Sequence, residues 1–384
     1  GGYTGGRRLD EKQTNDYIYS TSKTSYFMEP GDPNPVLLRR DPVEALARAP
    51  ALCGAMEMQG GGSGAAAVHI GVVSMLKQPS HLETWLEYYR HVIGVERFFL
   101  KVEDTPELEV LFSQSPWCDC VDAIFDSGTQ RDYFAQMDRQ SAHMLDTVPR
   151  ARRAGLSHLL HVDDDELVYC SAGVDVLRAE LAAASPSRPD LHMLNIEALY
   201  PSVSCENPFR EVTAFRHFPT KYCSYTNGKS FGRLDSVELR SHGPHHYRCL
   251  LGAGGANSPV THRIPPWVAT VLHYESSTFG KWRSKFVELA RRHGTDESVF
   301  ARVPFTFYKQ SMAAALQIIE TDDFPDEKLV AEHQALKLWR DHKLAPQDLP
   351  PPAPGVPQIM QGGLTVLSPW LAPTTAGVAV SAAA

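Results

Sequence analysis

The chain has 384 residues, of which 43% are hydrophobic and 21% are charged, and its net charge is −8. This length accommodates one large domain or two ordinary ones. The acidic balance argues against a large basic surface for nucleic acid. No apolar stretch is long enough to span a bilayer. The chain opens on Gly1 without Met or a signal-peptide pattern, so we expect a processed form or a fragment, and an upstream membrane anchor stays open.

Composition divides the chain into three parts. Residues 1–66 are rich in Gly, Pro, Asp and Ser and end in a Gly-rich linker, which predicts an N-terminal extension. Residues 67–344 carry the predicted folded domain, and residues 345–384 form a Pro- and Ala-rich tail. The seven cysteines include no Cys-x-x-Cys pair, which argues against a cysteine zinc site.

Strands and helices alternate from residue 68 onward. In the first half we predict a strand at 68–76, a helix at 79–93 ending at Gly94, strands at 95–102 and 120–125 around a helix at 106–113, and a helix at 133–154 broken or ended near Pro149. A buried strand before Asp163 and a helix at 174–184 follow. In the second half we predict strands at 191–199, 229–241 and 268–274, and helices at 279–293, 307–320 and 326–342. This alternation is typical of an α/β fold with a mostly parallel central sheet.

Four consecutive acids, Asp163, Asp164, Asp165 and Glu166, directly follow a short apolar run. Such a run indicates a buried strand, and the carboxyl ends of strands are where open α/β sheets bind ligands. Carboxylates this close repel one another unless a cation neutralises them. Oxygen ligands suit Mg²⁺ or Mn²⁺, so the sequence predicts a metal site here, and an acidic surface loop is the alternative.

Several blocks of sequence resemble the family 2-like and family 92-like glycosyltransferases. They are residues 73–95 around Trp85, the run His161-Val-Asp-Asp-Asp-Glu-Leu, which resembles the family's Asp-x-Asp-Glu-Phe motif, Gly228-Lys-Ser with the histidines at 242–246, and His273-Tyr274 followed by Phe279 and Lys285. The resemblance covers roughly residues 68–300. It implies a GT-A, Rossmann-like fold, a nucleotide-sugar donor (most simply a UDP-sugar), Mn²⁺ or Mg²⁺, a glycan or protein acceptor, and a place in the Golgi or secretory-pathway lumen.

This resemblance gives each candidate residue an expected role. Asp165 is the best direct metal ligand, and Asp163 faces the donor ribose or the metal. Glu166 supports the motif or contacts the acceptor, Asp104 follows the second strand and is placed for the nucleotide, and Lys229 offsets phosphate charge. Asp104 is equally well explained as an ordinary turn residue, and Lys229 as a surface lysine.

Two roles stay open between several residues. His242 or His245, in a group that also contains His246, is expected to complete the metal shell, and His273 is a competing ligand. Alternatively, the three grouped histidines form a separate zinc site or are plain loop residues. An inverting transfer needs a carboxylate base, for which Glu197 is our choice over Glu206, Asp296 and Glu297. The rival functions are a nucleotidyltransferase, a metal-dependent hydrolase, and a non-catalytic binding or scaffold protein that retains the fold.

Overall fold

The structure is a computed structural model. It describes residues 67–126, 135–199, 205–217, 222–236, 238–249, 261–276, 278–294, 306–321, 351–352, 357–360 and 364–371. All of them fall in one compact unit, Leu46–Ala384, whereas the other unit, Gly1–Ala45, lies outside the described residues. The predicted N-terminal extension and the predicted helix at 326–342 also lie outside them. Among the described residues, none of the helices combines the length and the apolar content that crossing a bilayer requires.

The described elements follow the predicted alternation. The strands are β1 (Ile70–Lys77), β2 (Arg97–Glu103), β3 (Val121–Asp126), β4 (His158–His161), β5 (Glu166–Tyr169), β6 (Asp190–Met193), β7 (Asn195–Leu199), β8 (Ala214–Arg216), β9 (Lys229–Arg233), β10 (Leu239–His242), β11 (His246–Cys249), β12 (Thr261–Arg263), β13 (Thr270–His273), β14 (Gln358–Met360) and β15 (Leu364–Val366). The helices are α1 (Leu82–Glu87), continued by a π-helical turn at Tyr88–Ile93, α2 (Leu108–Phe112), α3 (Ala135–Arg153), α4 (Val174–Ala183), α5 (Pro208–Glu211), α6 (Phe279–His293) and α7 (Thr306–Thr321).

The larger sheet has seven strands in the order β12-β6-β9-β4-β1-β2-β3. β1, β2, β3 and β4 run parallel to their neighbours among these four, and β12 runs parallel to β6. β9 is antiparallel to both β4 and β6. The predicted α/β class with a mostly parallel central sheet is confirmed. Because β1, β2 and β4 are parallel, their carboxyl ends meet at one edge, where ligands bind in such sheets.

A second sheet of six strands, in the order β14-β15-β8-β7-β13-β5, is antiparallel except for the pair β7 and β13. The main apolar core joins this sheet to the larger one and to α1, whose Trp85 and Leu86 are fully buried. A smaller core lies where α3 and β10 pack on the larger sheet. Gly94 ends the π-helical turn at φ +74°, a conformation that glycine adopts without strain.

The aromatic layer on α1 also receives a residue from the far end of the described chain. Trp370 packs edge-to-face on Tyr88, with ring centroids 5.2 Å apart. The Trp370 indole N–H donates to the Phe209 carbonyl oxygen at 2.8 Å, and the Arg210 guanidinium lies over the Trp370 ring. Residues 364–371, which fall in the predicted tail, therefore pack against the domain.

Three predicted elements differ from the structure. The run 229–241, predicted as one strand, forms β9 of the larger sheet and β10 of the β10–β11 ribbon. The run 191–199, predicted as one strand, divides at Leu194 into β6 of the larger sheet and β7 of the second sheet. Both halves are buried, so apolar spacing carries no sign of the change of partner. The predicted break near Pro149 is wrong, because α3 continues to Arg153. Beyond the proline, Ala151 is buried and Arg152 donates to the carbonyl oxygens of Leu234 and Ser236, which stabilises the last turn.

Several buried histidines remain neutral at neutral pH, among them His143, His158 and His192. Burial lowers the pKa of His143 and of His158 to about 4 and that of His192 to about 3, from an ordinary 6.5. Below pH 6.5 the unfolded chain therefore binds more protons than the folded protein.

We predict that the free energy of unfolding decreases as the pH falls from 6.5 toward 4, by about 1.4 kcal/mol per pH unit for each such histidine. Urea unfolding at a series of pH values measures this slope. His158→Gln should flatten it, because glutamine does not titrate in this range. An identical slope in the His158 variant would contradict the prediction.

Candidate active site

The acidic run forms the turn that connects the two sheets. β4 ends at His161 in the larger sheet, and β5 begins at Glu166 in the second sheet. The turn between them lies at the edge where β1 and β2 also end, since β4 and β2 both pair in parallel with β1. The prediction that the acids follow a buried strand at the carboxyl edge is confirmed.

Buried aromatic side chains of α1 and the turn after it hold the backbone of this acidic turn. The Trp85 indole N–H and the Tyr89 hydroxyl donate to the Glu166 carbonyl oxygen at 3.0 and 3.1 Å. The Tyr88 hydroxyl donates to the Val168 carbonyl oxygen at 2.8 Å. These donors satisfy carbonyl groups that would otherwise be buried without a partner. The aromatic face of the predicted helix thus supports the acids from within the core.

Asp163 pairs with a buried lysine. The Lys229 ammonium is 0% exposed and lies 2.5 Å from Asp163 Oδ2 and 3.3 Å from Glu166 Oε2. The other carboxylate oxygen of Asp163 accepts a hydrogen bond from Gln140 at 2.7 Å. Burial opposes ionisation of Asp163, but Lys229 outweighs it and lowers the pKa of Asp163 well below its usual range. Lys229 is therefore a counter-ion within the protein, beneath the acidic turn.

Glu166 lies deeper than the three aspartates. Its side chain is fully buried, and its Oε2 accepts the backbone N–H of Asp163 at 2.7 Å. Burial raises the pKa of Glu166 well above its ordinary value. The Glu166 side chain therefore stabilises the backbone of the turn. Its catalytic role stays a prediction.

Helix α6 brings two more lysines to the acids. The Lys281 ammonium lies 3.1 Å from Asp164 Oδ2. One helical turn later, the Lys285 ammonium lies 2.7 Å from Glu275 Oε1 and 2.8 Å from the Tyr308 hydroxyl of α7, which itself donates to Glu275 Oε2 at 2.6 Å. Burial raises the pKa of Asp164, and Lys281 opposes that increase. Residues at this spacing lie on the same helix face, so both lysines point to the same site.

Asp165 belongs to a different group. Its carboxylate, a His273 ring nitrogen and a Glu275 carboxylate oxygen all lie within 4.8 Å of one another. The antiparallel pairing of β13 with β5 aligns His273 with Glu166, and the Tyr274 N–H donates to the Asp165 carbonyl oxygen at 2.7 Å. Two carboxylates and an imidazole are a donor set that suits a divalent ion such as Mn²⁺.

Of the predicted histidine ligands, His245 lies near the acids. Its Nδ1 is 2.8 Å from the Gly228 carbonyl oxygen, and its ring centroid is 4.8 Å from that of Tyr225. Tyr225 in turn contacts His273, with centroids 4.5 Å apart. Burial, reinforced by the charge of Lys229, lowers the pKa of His245 well below its ordinary value. His245 therefore stays neutral, as a metal-binding imidazole must.

His242 and His246 lie on the β10–β11 ribbon with a different set of neighbours. His246 Nδ1 is 2.9 Å from Asp190 Oδ2, and its ring stacks on His192 at 4.5 Å. Burial lowers the pKa of His242, and the charges of Arg248 and His246 add to that effect. Asp190, His192 and Arg248 are thus neighbours of His242 or His246, whereas His245 lies beside Tyr225. The metal role of His242 stays a prediction.

Asp104 follows β2 at the same sheet edge. It has φ +51°, and its carboxylate lies 3.6 Å from the Lys77 ammonium at the end of β1. Lys77 also pairs with Glu288 of α6 at 2.9 Å. Asp104 is partly exposed, so the structure leaves it accessible for the predicted nucleotide contact, which stays a prediction.

Glu197, the predicted base, holds a loop. It is 1% exposed, and its carboxylate accepts the backbone N–H groups of Cys223, at 2.8 and 3.0 Å, and of Ser224 at 3.1 Å. Of the alternatives, Glu206 is exposed, whereas Asp296 and Glu297 lie outside the described residues.

Three residues that the fold brings to the site were not predicted from the sequence. Glu275 lies two residues after His273, and that spacing at a strand end was the available signal. Lys281 precedes the noted Lys285 by one helical turn. No local sequence pattern predicts that Tyr308 lies at the site, because its position depends on how α7 packs against α6.

Comparisons with known proteins give a partial assignment. No protein-family model matches the chain. The sequence is 25% identical over 243 residues to a glycosyltransferase-like protein of Arabidopsis thaliana, an alignment that covers 52% of this chain and 52% of that protein. The chain therefore spans about half the length of the curated relative it matches. This likeness supports a glycosyltransferase-like protein, whereas the Asp-x-Asp-Glu motif, the family 92-like assignment, the metal, the donor and the acceptor stay predictions.

Two solved structures are similar to parts of the chain. HddC from Yersinia pseudotuberculosis is 12% identical with a TM-score of 0.26, over 56% of this chain and 96% of HddC. Mannose-1-phosphate geranyltransferase from Thermus thermophilus is 14% identical with a TM-score of 0.22, over 70% of this chain and 68% of that one. At these scores neither structure adds to the assignment.

We predict that Lys229→Met lowers the free energy of unfolding by about 3–5 kcal/mol, because it leaves the Asp163 and Glu166 carboxylates without their cation. Thermal and urea unfolding measure the loss. Adding Asp163→Asn to the variant should recover part of it, whereas Lys309→Met on α7 should change little. Equal stability of Lys229→Met and the natural protein would show that this ion pair does not form in solution.

Proposed function

We propose that this chain is a metal-dependent glycosyltransferase that moves a sugar from a nucleotide-sugar donor to a glycan or glycoprotein acceptor. The observation that carries the proposal is the group formed by Asp165, His273 and Glu275 at the carboxyl edge of the sheet. The sequence likeness to a glycosyltransferase-like protein supports the same reaction class.

The charges at the site fit one divalent ion. Burial raises the pKa of Asp164, Asp165 and Glu166, and a divalent cation would favour the ionised forms of these carboxylates. The approach of their donor atoms to within 4.8 Å of one another favours Asp165, His273 and Glu275 as the ligands that would hold Mn²⁺ or Mg²⁺. When bound, the ion would act as a Lewis acid on the leaving diphosphate.

The exposure of the lysines suggests where a diphosphate binds. Lys229 is 0% exposed and is enclosed by its two carboxylates. Lys281 and Lys285 pair with carboxylates as well, but their side chains are 19% and 29% exposed. An exposed ammonium group can also contact phosphate oxygens, and two on one helix face match two adjoining phosphates. This arrangement supports a nucleoside diphosphate as the leaving group.

The nucleoside would then lie toward the ends of β1 and β2. Asp104 and Lys77 lie at this part of the edge, where a carboxylate can accept hydrogen bonds from ribose hydroxyls. Their separation from Asp165 follows the sheet order β4-β1-β2. In this arrangement the donor extends along the edge, from the nucleoside at β2 to the sugar near β4 and β13.

We predict that one nucleotide-sugar is hydrolysed in a panel of UDP- and GDP-sugars with Mn²⁺, and that EDTA stops the reaction. Asp165→Asn should reduce turnover about a hundredfold or more while the protein remains folded, because it removes a charged ligand. Chromatography of the released nucleotide measures both effects. If no donor is bound or cleaved, the chain is a binding or scaffold protein that retains the fold.

We predict separately that Lys281→Met raises the KM for the donor about tenfold, because it removes a charged contact to the diphosphate. Arg291→Met, at an exposed position on the same helix, removes the same charge away from the acids and should leave KM unchanged. Steady-state kinetics with the donor identified above would decide this. Equal KM values for the two variants would remove α6 from the donor site.

A further inference from the structure

A row of side chains crosses the second sheet beside the candidate metal ligands. The register of β5, β13 and β7 places Glu166, His273 and Glu197 side by side, in neighbouring strands. Residue partners of this kind lie on the same face of a sheet. Glu197 therefore flanks His273 on the side away from the acidic turn, and Asn195, two residues earlier on β7, shares that face.

Asn195 and Glu197 bind the backbone of the loop at residues 222–228. The Glu197 carboxylate accepts the N–H groups of Cys223 and Ser224. Asn195 Nδ2 donates to the Tyr225 carbonyl oxygen at 3.0 Å, and Asn195 Oδ1 accepts the Gly228 N–H at 3.1 Å. Two side chains of one strand thus satisfy the loop at both of its ends.

The loop brings its own side chains to the site. The Tyr225 ring lies against the His273 and His245 rings, and its centroid is 5.7 Å from the Lys229 ammonium. The loop then leads directly into Lys229, the buried counter-ion of Asp163. Any displacement of residues 222–228 would change the packing around His273 and the position of Lys229 together.

The loop path is tightly restricted at its exit. Gly228 has φ +63°, and a Cβ atom there would lie 1.9 Å from the Met193 carbonyl oxygen. Only glycine fits this close approach of two backbone segments. The loop is therefore fixed by backbone sterics at Gly228 and by side-chain hydrogen bonds before it.

We propose that Glu197 and Asn195 are positioning residues, which act through the 222–228 loop to fix Tyr225, and through it His273, for metal binding. This inference rests on the proposed function, since it assigns these residues to the metal site proposed above. Glu197 then sets the geometry of the loop, because its carboxylate oxygens accept the backbone N–H groups of Cys223 and Ser224. Groups that orient a metal ligand typically change metal affinity 10–100-fold when they are altered.

Glu197→Gln tests the proposal with little change of shape. The amide keeps one acceptor oxygen and replaces the other with an NH₂ group, so one of the contacts to the backbone N–H groups of Cys223 and Ser224 is lost and the loop is held less firmly. We expect the dissociation constant for Mn²⁺, measured by calorimetry, to rise about tenfold or more. Asn195→Asp, which retains the acceptor for Gly228 and loses the donor to Tyr225, should give a smaller rise and serves if Glu197→Gln does not fold.

Arg152→Gln is the matched control. It also removes two hydrogen bonds from a side chain to a backbone, those to Leu234 and Ser236, but at a different part of the chain. We expect a similar loss of stability with no change in Mn²⁺ affinity. A folded Glu197→Gln protein that binds Mn²⁺ as tightly as the natural one overturns the proposal, and so does an equal loss in the Arg152 control.

A second measurement separates this proposal from the proposed function. The ring protons of His273, assigned in NMR spectra by comparison with His273→Gln, sense the neighbouring Tyr225 ring without any metal. We expect their chemical shifts to move in Glu197→Gln and to stay unchanged in Arg152→Gln. If the natural protein binds no Mn²⁺, the proposed function fails, and these shifts still decide whether Glu197 positions His273 through Tyr225.

Discussion

The mutual repulsion of buried carboxylates is the constraint on which the site depends. Asp163, Asp164, Asp165 and Glu166 follow one another in a turn that the core largely removes from water, where each ionised group costs free energy unless a cation compensates it. β9 supplies Lys229, and α6 supplies a lysine to Asp164 and another to Glu275. Elements distant in sequence must therefore converge on this turn, and the fold satisfies that requirement before any ligand binds.

The acidic turn also connects two sheets that supply different parts of the site. In the larger sheet, β4 leads into the acidic turn, and the ends of β1 and β2 lie beside it, which supports a nucleotide on that side. The second sheet contributes His273, Glu275 and the row that ends in Glu197. A metal-binding group that draws one ligand from the turn and two from β13 and its end would couple these sheets through a single ion.

Local sequence predicts the strands and helices whose apolar residues recur with a regular period. The strands before Asp163, the helix that ends at Gly94 and the α/β alternation all follow from apolar spacing and a glycine stop, because these depend on neighbouring residues only. The change of sheet at Leu194, the pairing of Lys229 with Asp163 and the role of Glu197 depend on tertiary partners. For the same reason, three histidines in one short stretch could not be assigned: the ribbon turns His245 toward Tyr225 and His246 toward Asp190.

The contact between Trp370 and Tyr88 has a consequence for the order in which the protein can fold. Tyr88 belongs to the aromatic layer whose hydroxyl and indole groups hold the backbone after the acidic turn, and Trp370 covers that layer from the far end of the described chain. Contacts between residues so distant in sequence form late, since closing a long loop costs entropy before the contact stabilises it. During synthesis, the contact between Trp370 and Tyr88 therefore forms only after residue 370 has left the ribosome. A shorter nascent chain would contain every acidic residue of the site but would lack this packing on the aromatic layer.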